Sequence, residues 1–467
     1  MMKRRLSFFV ILIITAISCK EKGTDATILR GFFPNAQDAS VVLYLNDTPI
    51  DTTYLNKDKN FIFHLDITES KLFNFETEGK FQYVFLEPND SLVVYANAFR
   101  FDQSISFSGK GSAINNFVVA QANDSNEDIM KAYFLLPPSR YKQKMDSIYN
   151  ERKNEYDTFL KRNPNLSEKA KKLALVSITF PIYKEMEIYP FVYQGKGTTP
   201  ITEQLPPDFY DYRNNINYND AFLEYFRPYY QYMVMYINNL AFTKYTYDKH
   251  TLVDVSRELG FHLEKIKIID SLFTKGSLRD NLYRNAAYAY IFNIQEHIDY
   301  KDYFDKFAKY NKNNEHKTEL DRVFNNVIAL QAGKVPPDFD LINAKGEFTK
   351  FSQIQKHEVT IYYFWSVNQR EISNLIFDRI TQLKSLYPNV KFVGIDIGQD
   401  KNEWRKKISE IQSTDQYHSI NFMDLSQKFL INNINKSLII DKNGRIISAF
   451  EDIFSPNLEK LLLLKES

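Results

Sequence analysis

The hydrophobic positions change their period twice along the chain. Seven short alternating or β-branched runs crowd the first quarter: Thr27 to Phe33, Val41 to Leu45, Phe61 to Leu65, Leu72 to Glu76, Gln82 to Leu86, Leu92 to Ala96 and Ser104 to Ser108. Turn chemistry separates them, as in Asn46-Asp47, Asn56-Lys57-Asp58-Lys59-Asn60 and Glu87-Pro88-Asn89-Asp90. Such spacing predicts an antiparallel β-sandwich or partly closed barrel over residues 25–120. From 121 to 332 the apolar residues recur at three- and four-residue intervals, in Tyr141 to Arg162, Ser167 to Ile182, Ala221 to Tyr245, Leu252 to Phe273, Leu278 to Glu296 and Lys301 to Asn311. That is a helical period, punctuated by Pro137-Pro138, Pro190 and Pro206-Pro207, and it predicts a helical bundle connecting two other domains. In the last third the two periods mix. Val359 to Trp365 is an apolar strand, Ile372 to Tyr387 an amphipathic helix and Val390 to Ile397 a second buried strand. Trp404 falls in a further helix, Ser437 to Asp441 is a third strand, Lys442-Asn443-Gly444 a hairpin turn and Arg445 to Phe450 its partner.

Residues 1–18 follow neither period. Lys3, Arg4 and Arg5 precede an apolar run from Leu6 to Ile17, then the small Ser18 and Cys19. This is a signal-peptide pattern, too short for a membrane-spanning helix, which needs about 20 apolar residues. Thr15-Ala16-Ile17-Ser18-Cys19 resembles a bacterial lipobox, with Ala16 where such sites usually have Leu. The resemblance implies cleavage before Cys19, acylation of its sulfur and anchoring of the chain to a membrane, with residues 19–24 as lipidated cysteine and tether. The expected location is the bacterial cell envelope, on the outer membrane, facing periplasm or surface.

Cleavage would remove three cations and take the formal net charge from +1 to −2. A near-neutral chain of mixed sign offers no electrostatic case for nucleic acid. With 44% hydrophobic and 25% charged residues the chain is globular. The 31 Tyr and 38 Phe are read as core and half-exposed packing.

Gly31, Phe61-Ile62-Phe63, Leu86 to Leu92, Phe107-Ser108-Gly109-Lys110-Gly111 and Asn115-Asn116 together resemble an uncharacterised β-domain that often precedes thioredoxin domains in exported lipoproteins. Gly333-Lys334-Val335-Pro336-Pro337-Asp338-Phe339-Asp340-Leu341, Phe364-Trp365 and Ile439-Ile440-Asp441-Lys442-Asn443-Gly444 resemble the TlpA-type membrane-anchored thioredoxins and peroxiredoxins. The implied fold class is multidomain α+β: an N-terminal antiparallel β-sandwich (25–120), a central α-helical bundle (121–332) and a C-terminal thioredoxin-like α/β domain (333–467).

The chemistry of that family is missing. Cys19 is the only cysteine, whereas the family carries Cys-x-x-C a few residues after Phe-Trp, at a helix N-terminus that stabilises the thiolate. Here the chain reads Trp365-Ser366-Val367-Asn368-Gln369-Arg370-Glu371. The cis-proline that faces the redox pair in the family falls at Asn435, where a cis bond would cost about 2.5–4 kcal/mol. Trp365, Asn368, Gln369, Arg370 and Asn435 are therefore the candidate binding surface at the former redox site.

Other motifs are incomplete. His357-Glu358 lacks the second histidine of a zinc protease, and Glu296-His297 and His316 to Glu319 are isolated pairs in polar helices. Gly195-Lys196-Gly197-Thr198 and Gly109-Lys110-Gly111-Ser112 lack phosphate-loop spacing and read as turns. No metal cluster, cofactor box or catalytic nucleophile is expected. The expectation is an envelope lipoprotein with a redox-inactive thioredoxin-like module that binds a protein or peptide. The alternative is a TlpA-related protein acting in an envelope thiol pathway with a cysteine-bearing partner.

Overall fold

The computed structural model describes residues 26–466, apart from 38–39, 124–126, 194–200, 250–254, 256–257, 294–299, 399, 412–414 and 432. Cys19 and its tether, Gly195 to Thr198 and Glu296-His297 lie outside the described residues. No described helix is long and apolar enough to cross a membrane. The chain divides into two compact units whose break falls within the helical stretch, near residues 198–233.

The first unit begins with two four-stranded sheets, ordered β4-β1-β7-β8 and β3-β2-β5-β6. Their strands are β1 (Thr27–Phe32), β2 (Ser40–Leu45), β3 (Thr48–Tyr54), β4 (Asn60–Leu65), β5 (Lys71–Thr77), β6 (Lys80–Leu86), β7 (Ser91–Tyr95) and β8 (Ser106–Gly109). Alternate residues of both sheets, among them Leu29, Phe61, Phe63, Val41, Leu43, Phe73, Phe75, Leu92 and Val94, meet in one apolar core. One pairing departs from the antiparallel expectation, since β1 runs parallel to β7. The sequence pattern also misses β3, which is exposed along almost its whole length and forms the edge of its sheet. An edge strand with water on both faces carries no alternation. Its hairpin is nevertheless legible, because Asn46 and Asp47 take the left-handed conformation (φ 52° and 58°) that a two-residue hairpin turn requires.

The glycine-rich turn after β8 is structural. A Cβ on Gly109 would lie 2.2 Å from the Ser91 carbonyl oxygen, and Gly111 has φ 93°. The next helix, Ser112–Asn123, ties the two sheets together through Asn115-Asn116. Asn115 is buried; its Oδ1 accepts from the Phe85 N–H at 2.7 Å and its Nδ2 donates to the Phe85 carbonyl at 2.8 Å. Asn116 does the same for Phe107, at 2.8 Å in both directions. Each amide thus satisfies one strand residue, one in each sheet.

Helices Pro138–Arg162 and Glu168–Val192 complete this part of the unit. Ser167 caps the second, its Oγ accepting from Ala170 N at 3.2 Å. That helix runs ten residues past the expected end and through Pro181 and Pro190, because burial of Ile182, Met186 and Tyr189 outweighs the local preference. Tyr141 stacks on Tyr189 at 3.9 Å, and the buried Glu187 carboxylate accepts from Arg213 and from Tyr212 Oη. Tyrosine abundance is thus spent on packing.

The second unit contains helices Leu259–Leu272, Ser277–Asn293, Tyr300–Tyr310 and Lys317–Ala329, and a seven-stranded sheet ordered β10-β9-β13-β12-β11-β14-β15. Its strands are β9 (Asp340–Asn343), β10 (Phe348–Lys350), β11 (Val359–Trp365), β12 (Val390–Asp396), β13 (Gln416–Ser419), β14 (Lys436–Asp441) and β15 (Ile446–Asp452). Strands β11, β12 and β13 are mutually parallel, with β14 antiparallel to β11 and β15 to β14. Helices Arg370–Leu386 and Lys401–Ile411 form the β11-to-β12 and β12-to-β13 connections. The entry segment adds to the sheet edge, with Gly333 N donating to the Ile446 carbonyl at 2.7 Å and Ile446 N to that of Lys334 at 2.8 Å. Phe339 then packs on Phe351 and Phe429.

Replacing Asn115 by Ala leaves the Phe85 N–H and carbonyl buried without partners. At about 1–3 kcal/mol for each unsatisfied group, the N-terminal unit should lose stability markedly, read as a lowered urea midpoint. An unchanged midpoint would show that the amide clamp is dispensable.

Candidate functional site

The carboxyl ends of β11, β12 and β13 lie side by side, with the amino end of β14 next to β11. Register places Trp365 opposite Asp396 and Asp396 opposite His418, so these side chains share one face of the sheet. One step back on that face stand Tyr363, Gly394 and Gln416. Phe377 of helix Arg370–Leu386 packs on Trp365 at 5.0 Å, and Trp404 of helix Lys401–Ile411 packs on His418 at 5.2 Å.

Trp365 has no exposed surface, and its Nε1 donates to Gln416 Oε1 at 3.0 Å. Gln416 Nε2 donates in turn to Tyr363 Oη at 2.7 Å. Gly394 makes room for this amide, since a Cβ there would lie 2.2 Å from Gln416 Oε1. Trp365 therefore belongs to the core, correcting its assignment to a binding surface: an indole with a satisfied N–H and an aromatic neighbour has nothing left to offer a partner.

Beside it lies a second buried network. The Asp396 side chain is fully enclosed; Oδ1 accepts from Val367 N at 3.2 Å and Gly398 N at 3.1 Å, and Oδ2 lies 2.7 Å from His418 Nδ1. One carboxylate thus ties together the loop after β11, the loop after β12 and strand β13.

The turn between β11 and its helix is short and internally closed. Ser366 N donates to Ser373 Oγ, which donates back to the Ser366 carbonyl; Asn368 N donates to Ser366 Oγ and Gln369 N to the Ser366 carbonyl. Asn368, Gln369 and Arg370 form its exposed tip. Gln369 stands at the helix N-cap without a side-chain capping bond. The Arg370 guanidinium is 81% exposed and 3.7 Å from Glu403, a separation worth at most about 1 kcal/mol at a surface.

Asn435 lies in the loop that enters β14, and the peptide bond before it is trans. Its Nδ2 donates to Asp452 Oδ2 at 2.6 Å and its carbonyl accepts from Ile453 N at 2.8 Å. The five expected site residues therefore separate into an exposed tip (368–370), a core residue (Trp365) and a loop residue bonded to β15 (Asn435). Gln416 and His418 escaped the sequence reading because β13 is a four-residue polar strand, Gln-Tyr-His-Ser, without hydrophobic alternation; Asp396 falls on the expected strand Val390 to Ile397, but its partners come from β13 and from two loops.

Lys436, next to Asn435, is buried with its ammonium directed at the Phe429 and Leu430 carbonyls and 4.2 Å from the centre of the Phe450 ring. Burial pushes its pKa down to about 7, and a neutral amine still donates to both carbonyls. None of the described residues form a cluster of three or more metal-ligating side chains.

Two measurements follow from this geometry. Trp365→Ala should cost about 3–5 kcal/mol as a large core deletion, whereas Arg370→Ala should stay within about 0.5 kcal/mol; equal effects in urea unfolding would contradict the burial difference. Lys436 has a lowered pKa when folded, so the unfolded chain binds more protons above about pH 7. Its contribution to stability should therefore fall as pH drops from about 10, the unfolded lysine value, toward 7, and Lys436→Met should flatten that slope. An identical slope in the variant would assign the effect to other groups.

Residues 357–446 match the model of a family described as thioredoxin-like. No curated protein matches the chain. Among solved structures, a protein of Bacteroides vulgatus described as a thiol-disulfide oxidoreductase is 18% identical, with 29% of this chain and 97% of that one covered and a TM-score of 0.26. A domain from Cytophaga hutchinsonii described as a thiol-disulfide isomerase is 21% identical, with coverage of 29% and 94% and a TM-score of 0.25. A thiol:disulfide interchange protein of Chlorobium tepidum is 18% identical, with coverage of 30% and 99% and a TM-score of 0.25. The family match and the β10-β9-β13-β12-β11-β14-β15 sheet with its parallel βαβ core make the C-terminal part of this chain a thioredoxin-like domain.

Proposed function

We propose that this chain is a lipid-anchored cell-envelope protein, of the TlpA type in its C-terminal domain, in which that domain is a redox-inactive module that binds a protein or peptide. One observation carries the reading. Where disulfide exchange would need a thiolate at the helix entrance, the chain places Ser366, Val367, Asn368 and Gln369 in a closed turn, and Cys19 is its only sulfhydryl residue. A hydroxyl or amide cannot form a mixed disulfide. The exposed side chains of Asn368, Gln369 and Arg370 supply hydrogen-bond donors and acceptors, a positive charge and little intramolecular commitment, which suits recognition of a polar or acidic segment.

Anchoring rests on Cys19 and the apolar run before it. Each buried acyl methylene contributes about 0.8 kcal/mol, so more than one chain on Cys19 would hold the protein permanently. The mature protein should partition into detergent, and Cys19→Ser should release it from membranes or block its processing; normal processing with unchanged membrane association would refute the anchor.

The module itself is tested with residues 20–467. This protein should reduce a disulfide substrate no faster than buffer. Photocrosslinking from position 368 in cells should capture a partner whose affinity falls about thirtyfold in Arg370→Ala, the loss expected of a central arginine anchor. Sustained disulfide reduction, or partner affinity indifferent to Arg370 and Asn368, would overturn the reading.

A further inference from the structure

Each sheet of the first unit has a core face and an outer face, and the two outer faces differ. That of β3-β2-β5-β6 is met by aromatic rings of the same unit: Phe226 packs on Tyr83 at 5.4 Å and Phe222 on Phe85 at 6.0 Å. On β4-β1-β7-β8, Leu29, Phe61, Phe63, Leu92 and Val94 point into the core, so the alternate residues Phe32, Ile62, Val93 and Tyr95 point outward. These large apolar side chains stay 37–40% exposed.

Register makes them one patch. Arg30 stands between Ile62 on β4 and Val93 on β7, Phe32 stands opposite Tyr95, and those two rings lie 5.9 Å apart. The loop after Tyr95 adds Phe99, 73% exposed, and the exposed Arg100. The patch has a definite charge character as well. None of the four strands contains Asp or Glu at any position, although the chain carries 58 acidic residues, and Arg30 faces outward from the centre of the patch. The outer face of the other sheet, by contrast, carries Glu76.

Chain connectivity indicates what lies against such a face. β1, a central strand of this sheet, is the first strand of the described chain, and only residues 20–26 separate it from Cys19. Eight Cα steps, each at most about 3.6 Å, hold Thr27 within about 29 Å of an anchor on Cys19. Anchoring there keeps β1 and its neighbours beside the bilayer. Aromatic and aliphatic side chains settle at the boundary between headgroups and acyl chains, and an arginine settles on headgroup phosphate. The missing carboxylates remove the repulsion an anionic surface would exert. We propose that the outer face of sheet β4-β1-β7-β8 lies flat on an anionic phospholipid bilayer, a contact that rests on the lipid-anchored reading and gives the tethered protein a fixed orientation. Flat contact claims more than tethering. β1 runs from Thr27 at the tether to Phe32 about 17 Å away, so a protein standing end-on over its anchor would keep Phe32 and Tyr95 clear of lipid.

Cys19 is the only cysteine, so the polypeptide 19–467 can be coupled through it alone to a maleimide-bearing phospholipid, in vesicles of phosphatidylethanolamine and phosphatidylglycerol with brominated acyl chains. Trp365 and Trp404, both buried, set the background emission. Tyr95→Trp should lose its added emission to bromine and shift to the blue. Tyr54→Trp, at a position 68% exposed on β3 of the other sheet, should match its intensity in unbrominated vesicles. Arg30→Glu together with Val93→Glu should restore the Tyr95→Trp emission, and phosphatidylcholine in place of phosphatidylglycerol should weaken the quenching. Unquenched Tyr95→Trp in the coupled protein overturns the proposal, as does equal quenching at both positions or quenching indifferent to lipid charge. Uncoupled protein, its Cys19 capped, that sediments as a dimer and is returned to monomer by Val93→Glu would assign the face to a second copy instead. Chemical coupling supplies the anchor here, so these outcomes stand apart from acylation in cells, which Cys19→Ser reads.

Discussion

Asp396 is a carboxyl group with no exposed surface, and a carboxylate so enclosed is tolerated only where donors surround it. Three converge: the N–H groups of Val367 and Gly398 and the ring of His418. Those donors come from the loop after β11, the loop after β12 and strand β13, so the demand of one side chain sets the relative position of all three. The course of the 366–369 turn, the height at which helix Arg370–Leu386 starts and the direction of the Asn368 to Arg370 tip all follow from that attachment. Removing the acceptor would free two backbone donors and an imidazole together, making this the point where the edge of the sheet is least replaceable.

The neighbouring chain of bonds, Trp365 to Gln416 to Tyr363, applies the same rule with uncharged groups. It spans β11 and β13 across the intervening β12, and it can do so only because β12 carries Gly394 at the crossing. The domain thus keeps its sheet edge by buried polar networks rather than by a disulfide. Satisfied networks of this kind specify one arrangement of the strands, since any slip in register would strand several polar atoms at once.

In the N-terminal unit the equivalent device is the pair Asn115-Asn116, whose adjacent amides bond residues of two different sheets. Sandwich sheets pack through apolar side chains that have little directional preference. Two amides rising from one helix supply the direction. The tyrosine-rich helices rely instead on ring stacking, with hydroxyls finding backbone carbonyls, as Tyr141 and Tyr189 do.

What the sequence determined by itself are the features written in local pattern. Strand β11 could be read residue for residue as an unbroken apolar run, and β4 and β5 nearly so from alternation bounded by turn chemistry. The single cysteine was equally legible, being a count. Tertiary structure alone decided the rest. The exposed β3 and the polar β13 carry no period, as their stability comes from partner strands. Helix Glu168–Val192 overran its prolines because burial outweighed propensity. Trp365 looked like a surface candidate by its place just before the 366–369 turn, yet both faces of β11 are covered and Phe377 and Gln416 enclose its ring. Asp396 and His418 stand 22 residues apart and meet only when β13 pairs with β12; a contact made through sheet pairing leaves no trace in the spacing of either segment.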